Sequence, residues 1–171
     1  MEYPLRRKDR KMDEGEALGI LRRCYWGVLS LVGADGTPYG VPLNYVLDEQ
    51  GGTMRLVMHC AREGRKIDCL NANPQGAFVV VEGARMLPEK FSTAYASAMV
   101  SGPVDIVDGR EEKRDLLRRL VARLSPEFTE RGEKHIEHRL DDCLVLRLEI
   151  RTACAKGRKT EEPYALGHLG F

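Results

Sequence analysis

Residues 26–32 (Trp-Gly-Val-Leu-Ser-Leu-Val) read as a strand, and Ala34-Asp35-Gly36 carries the Asp-Gly signal of a hairpin. The returning strand, Tyr39 to Leu47, holds Pro42 in its interior. Proline cannot donate to a ladder, so this strand lies at an edge or carries a bulge. Asp48 to Gly52 turns the chain into Met54–His59, which is built of strand formers around an apolar core. Gly76–Glu82 is expected as a buried strand and residues 83–93 as a loop. A long strand from Ala94 to about Val107 follows, broken near Gly102-Pro103, and Leu144–Ile150 alternates as a half-buried strand.

Helical periods fall between these runs. Asp13 to Glu16 resembles a cap, before a face of Ala17, Leu18, Leu21 and Cys24. Ile67 and Leu70 share a face in a helix that Asn73-Pro74 ends. Leu116, Leu117, Leu120, Val121 and Leu124 form one stripe over residues 110–124, and Ser125-Pro126 reads as the start of another helix. Six strands in mostly hairpin order with inserted helices predict a mainly β, six-stranded antiparallel barrel with α additions. The absence of βαβαβ alternation and of Gly-x-Gly-x-x-Gly argues against a Rossmann fold.

The 171 residues suit one domain, and lysine plus arginine (27) nearly cancel aspartate plus glutamate (26). That balance gives no reason to expect nucleic acid or an anionic membrane as a partner. The five cysteines are odd in number and form no Cys-x-x-Cys, against a disulfide framework or zinc ribbon. With no long apolar span and no signal-peptide core, the expectation is a cytoplasmic protein with reduced thiols.

The densest chemistry lies where the Met54–His59 strand breaks into a helix: His59, Cys60, Arg62, Gly64, Arg65 and Lys66 fall within eight residues. A helix start presents unpaired amides and partial positive charge, and the side chains add full charges, so the junction reads as an anion site suited to phosphate. The competing reading is a solvated basic helix start, since no P-loop spacing is present. His59 has an ordinary pKa near 6.5, so it either satisfies a neighbouring carbonyl or hydrogen-bonds or protonates a substrate. The pair His135 and His138 lacks metalloprotease spacing and reads as part of a solvated helix, so no metal is expected. Cys60 beside these cations is a weak candidate nucleophile.

Three blocks together resemble the pyridoxamine phosphate oxidase-like FMN-binding split barrels: Tyr39-Gly-Val-Pro-Leu-Asn-Tyr45, His59-Cys-Ala-Arg-Glu-Gly-Arg-Lys66, and Tyr95-Ala-Ser97 with Gly102. The resemblance spans roughly residues 5–155 and is nearest to the nitroimidazole-resistance (Nim) branch. It implies a homodimeric split barrel over residues 1–155 and FMN at the dimer interface, while residues 156–171 match nothing in the family and read as a tail. It implies that Val41, Pro42, Leu43 and Asn44 meet the flavin ring and that Gly64, Arg65 and Lys66 surround the phosphate. His59 and Cys60 would line the space between, with His59 as the catalytic residue toward the substrate, and Tyr95 and Ser97 would add contacts. The oxidase's late tryptophan and arginine signature is missing, because the only tryptophan is Trp26. The expected activity is therefore an FMN-dependent oxidoreductase that reduces a small acceptor, with nitro-aromatics as one class. The alternatives are a non-catalytic FMN or heme module and a deazaflavin-dependent reductase.

Overall fold

The structure is a computed structural model that describes residues 5–158. Its first helix, α1 (Glu14–Arg23), is capped by the Asp13 side chain, which accepts from the Glu16 amide at 2.8 Å. The chain then enters β2 (Trp26–Val32) and turns through Asp35-Gly36 into β3 (Pro38–Asn44). Short β4 (Val46–Asp48) leads to β5 (Arg55–Ala61) and α2 (Arg65–Ala72). Two long strands follow, β6 (Gln75–Leu87) and β7 (Ser92–Ile106), then helices α3 (Arg110–Leu124) and α4 (Thr129–Arg139). Strand β8 (Cys143–Glu149) precedes β9 (Thr152–Arg158), which pairs with β7 and with the two-residue β1 (Lys11–Met12).

The hydrogen-bonded order is β3-β2-β6-β7-β8-β5-β4. Its two ends, β3 and β4, are separated in the chain only by Tyr45, so one bent strand touches both edges of the sheet. Its first half pairs with β2 and its second half with β5. The sheet thus curls into a barrel whose ladder is open between β3 and the far half of β5. That opening is the split. The sheet has nine strands where the sequence predicts six: the bend at Tyr45 divides one expected strand into β3 and β4, and β1 and β9 add two more.

Leu29, Leu31, Leu56, Met58, Phe78, Val80, Leu146 and Leu148 fill the barrel, each no more than 2% exposed. Burying such a side chain is worth about 1.5–3 kcal/mol. The small Ala96, Ala98 and Ala155 leave room for Ala17, Ile20 and Leu21 of α1 in the same cluster. The Tyr45 hydroxyl donates to the Leu21 carbonyl at 2.9 Å and its ring meets Phe78 edge-on, which fixes the strand bend against α1. A second core lies outside the barrel wall, where Val57 and Val145 meet Leu116, Leu117, Leu120 and Ile136 of α3 and α4.

Three sequence expectations change. Residues 83–87 continue β6 beyond a bulge between Glu82 and Arg85. Strand β7 does not break at Gly102-Pro103 but switches partner there, from β9 through Ser101 to β8 from Val104. Residues 156–158, read as the start of a tail, belong to strand β9, which runs from Thr152 to Arg158. The expected tail from 159 onward lies outside the described residues. Among the described residues, no helix is long and apolar enough to cross a membrane.

Candidate flavin site and the histidine cavity

Strand β3 is outermost in the order, consistent with Pro42 at a position that gives up a ladder donor. Along it, Tyr39, Val41 and Leu43 pack against the barrel core, whereas Pro42 and Asn44 are exposed on the outer face. The Asn44 Nδ2 donates to the Tyr25 carbonyl at 3.2 Å, which leaves its Oδ1 as an acceptor. What Val41–Asn44 offer at the split is therefore the free backbone edge of β3 more than their side chains.

Across the split, β5 runs into α2 through Gly64, whose φ of 113° lies in a region that side chains strain to enter. The Gly64 carbonyl accepts from the Ile67 amide at 2.8 Å, so the Arg65 and Lys66 amides start the helix without an intrahelical partner. The Arg65 guanidinium sits 5.0 Å from the centroid of the Tyr39 ring, which joins the helix start to β3 across the opening. Free amides, a left-handed glycine with open space at its Cβ position, and two cations fit a phosphate. Arg62 is not part of this group: its Nη1 donates to the Asp141 carbonyl at 2.9 Å.

His59 and Cys60 are neighbours that face opposite ways, as adjacent strand residues must. Cys60 is buried in the barrel core, where burial raises its thiol pKa although Lys66 pulls it back down. A lowered thiol pKa, the basis of the nucleophile reading, is thus not found. His59 instead emerges, itself exposed, on the α3–α4 side of β5, at an open cavity of about 210 Å3 lined with Leu117, Leu120, Val121, Leu124 and Ile136. His135 lines the same cavity. Desolvation, then repulsion from His135, lowers the His59 pKa below its ordinary 6.5, so the ring is neutral at pH 7. The imidazole can still donate one hydrogen bond and accept another there.

Tyr95 and Ser97 lie on the outer face of β7, in register with Arg158 and Lys156 of β9. The Ser97 hydroxyl donates to the Lys156 carbonyl at 3.2 Å. Three strand spacings of about 4.8 Å, roughly 14 Å in all, separate β7 from β3, so one protomer does not bring these residues to the split. Tyr39 under Arg65 was quoted in the sequence blocks but given no role. Its place two residues before Val41, on the same strand face, was the available signal. The set of cations on α4 was also missed, and it was legible as basic residues at 131, 134, 135 and 138, a helical i, i+3, i+4, i+7 spacing. Among the described residues, no cluster of three or more candidate ligands could hold a metal ion.

Fold and site together define a split β-barrel of a flavin-binding class. The family model described as pyridoxamine 5'-phosphate oxidase matches residues 13–157, and the chain belongs to that family. Solved structures share the fold at low identity. The FAD and heme binding protein from Mycobacterium smegmatis is 22% identical, with 91% of this chain and 77% of that chain covered and a TM-score of 0.72. A candidate 5-nitroimidazole antibiotic resistance protein from Bacteroides thetaiotaomicron is 21% identical, with 85% of each chain covered and a TM-score of 0.64. An FAD-binding protein from Mesorhizobium loti is 20% identical, with 88% of this chain and 98% of that chain covered and a TM-score of 0.64. No curated protein matches the chain.

Proposed function

We propose that the protein is an FMN-dependent oxidoreductase of the Nim type, acting as a homodimer on a small acceptor such as a nitro-aromatic. The observation that carries this is the split itself: a free β3 edge on one side, and on the other the Gly64–Lys66 helix start, bridged by Arg65 over Tyr39. When bound, FMN supplies the redox chemistry. Arg65, Lys66 and the first α2 amides hold its phosphate, and the β3 backbone from Val41 to Asn44 orients the ring. His59, on the α3 side of β5, meets the substrate as a neutral hydrogen-bonding imidazole.

The homodimer is supported by the outer face of the large sheet. Trp26 is 47% exposed, Val81 52% and Val32 40%, and Val28, Val79 and Met99 lie between them on the same face. A second copy there would bring Tyr95 and Ser97 toward the partner's β3, which one protomer alone does not do. Ligand sites at such interfaces are common.

Lys66→Ala is expected to weaken FMN binding at least tenfold, the loss of about one charge-assisted hydrogen bond. His59→Ala is expected to keep FMN and lose turnover, read as nitro-aromatic reduction with a nicotinamide donor. Normal turnover in His59→Ala would remove the catalytic role. A second reading, a module that holds FMN or heme without turnover, is favoured by the absence, among the described residues, of any carboxylate from the lining of the His59 cavity. Heme and FMN titrated side by side distinguish the two ligands.

A further inference from the structure

Three of the four histidines in the chain, His59, His135 and His138, line one groove. Its inner end is the apolar cavity of about 210 Å3 beside His59. Its outer end, about 690 Å3, is bounded by Phe128, Arg131, Gly132, Lys134, His135 and His138, and both ends share Val121, Ser125, His135 and Arg139. The outer end lies within the range of ordinary small-molecule sites, about 300–1,000 Å3, and the inner end falls below it.

The charges on α4 are sorted by face. Glu133 and Glu137 reach back to α3, where Arg118 and Arg114 hold them, the latter pair at 2.6 Å. Arg131, Lys134, His135 and His138 occupy the stripe over the groove, and among the described residues no carboxylate lines either end. Arg139 is held by Asp142 through Nε at 2.9 Å. The His138 Nδ1 lies 2.7 Å from the Lys134 carbonyl, so it donates there and leaves Nε2 facing outward. An apolar-lined end beneath a cationic mouth is complementary to one kind of molecule, an apolar body that ends in an anion.

We propose that the groove between α3, α4 and the end of β5 binds an amphipathic organic acid. Its apolar body lies against Leu117, Leu120, Val121, Leu124 and Ile136, and its carboxylate lies among Arg131, Lys134 and His135. The site adjoins the proposed substrate position at His59, but its cations and apolar wall on α3 and α4 lie outside the proposed flavin machinery, so acid binding here can be read without flavin.

Decanoate and the uncharged decan-1-ol serve as probes, added to the protein as purified and again after saturation with FMN. Binding is followed through the imidazole Cε1–H resonances, and FMN uptake is read separately by flavin absorbance, so failure of one reading leaves the other intact. Decanoate is expected to shift the His59 and His135 resonances and to bind at least tenfold more tightly than the alcohol. The exposed double variant Arg131→Gln/Lys134→Gln is expected to weaken decanoate at least tenfold and leave the alcohol unchanged. Val121→Trp, which fills the junction of the two ends, should weaken both probes. Hemin that displaces decanoate would identify a tetrapyrrole dicarboxylate as the acid, whereas hemin bound alongside decanoate would limit the site to smaller acids. Equal affinities for acid and alcohol, unmoved histidine resonances, or full decanoate affinity in the double variant would each overturn the proposal.

Discussion

His59 and Cys60 lie on opposite sides of one wall, and most of the site's chemistry follows from that parity. The thiol faces the barrel core, where burial raises its pKa, and the half-buried Cys24 is pushed up to about 11. Both should resist iodoacetamide at pH 8 in the folded protein and react only after unfolding, as mass mapping of the alkylated peptides would show. His59 faces the α3–α4 cavity with its pKa depressed, so the folded state binds a proton less readily there than the unfolded state. Between the depressed value and 6.5 the unfolded chain holds more protons, so this group's contribution to stability falls as pH drops below 6.5. The wild type should therefore lose more stability than His59→Gln between pH 7.5 and 5.5, read as urea midpoints. Equal losses would mean that the ring is not desolvated. At this scale the sequence located the residues, because a strand meeting a helix start is a local pattern. Which side of β5 each residue faces depended on where α3 and α4 pack, and no local pattern encodes that.

Strand β7 shows what element-level reading captures and misses. Gly102-Pro103 signals a break, yet the strand continues, because the two residues allow a change of partner from β9 to β8. A Cβ on Gly102 would stand 1.9 Å from the Glu149 carbonyl oxygen, so the corner requires glycine for close approach. Gly102→Ala is expected to cost about 1–3 kcal/mol, measured by urea unfolding, with the wild-type midpoint as the contradicting result. Helix α3 was legible to the residue because its Leu116–Leu124 stripe is long and regular. Strand β9 was not. Its Thr-Ala-Cys-Ala-Lys-Gly-Arg run is small and weakly alternating, suited to a close approach in which Gly157 lies against the Tyr95 carbonyl and the Met12 sulfur. Small residues packed for proximity carry little hydrophobic period.

The molecule as a whole is a barrel with one open seam and one apolar outer face, and the proposed activity uses both. If a second copy covers that face, Val81→Asp should yield monomers in sedimentation and lose FMN affinity with the dimer, while the barrel's far-ultraviolet spectrum stays unchanged. A Val81→Asp protein that remains dimeric would place the interface elsewhere. Six of the runs that form strands were readable from hairpin order and alternation, whereas β1, β9 and the seam's position were not, the last because one strand bends at Tyr45 to serve both edges. The flavin at that seam is the claim on which the rest depends, and the visible absorbance spectrum of the purified protein tests it directly, with the released cofactor identified by mass. The account predicts a yellow protein that releases FMN, or an apoprotein that takes up added FMN with one site per protomer. A colourless protein that leaves added FMN free in solution would contradict it.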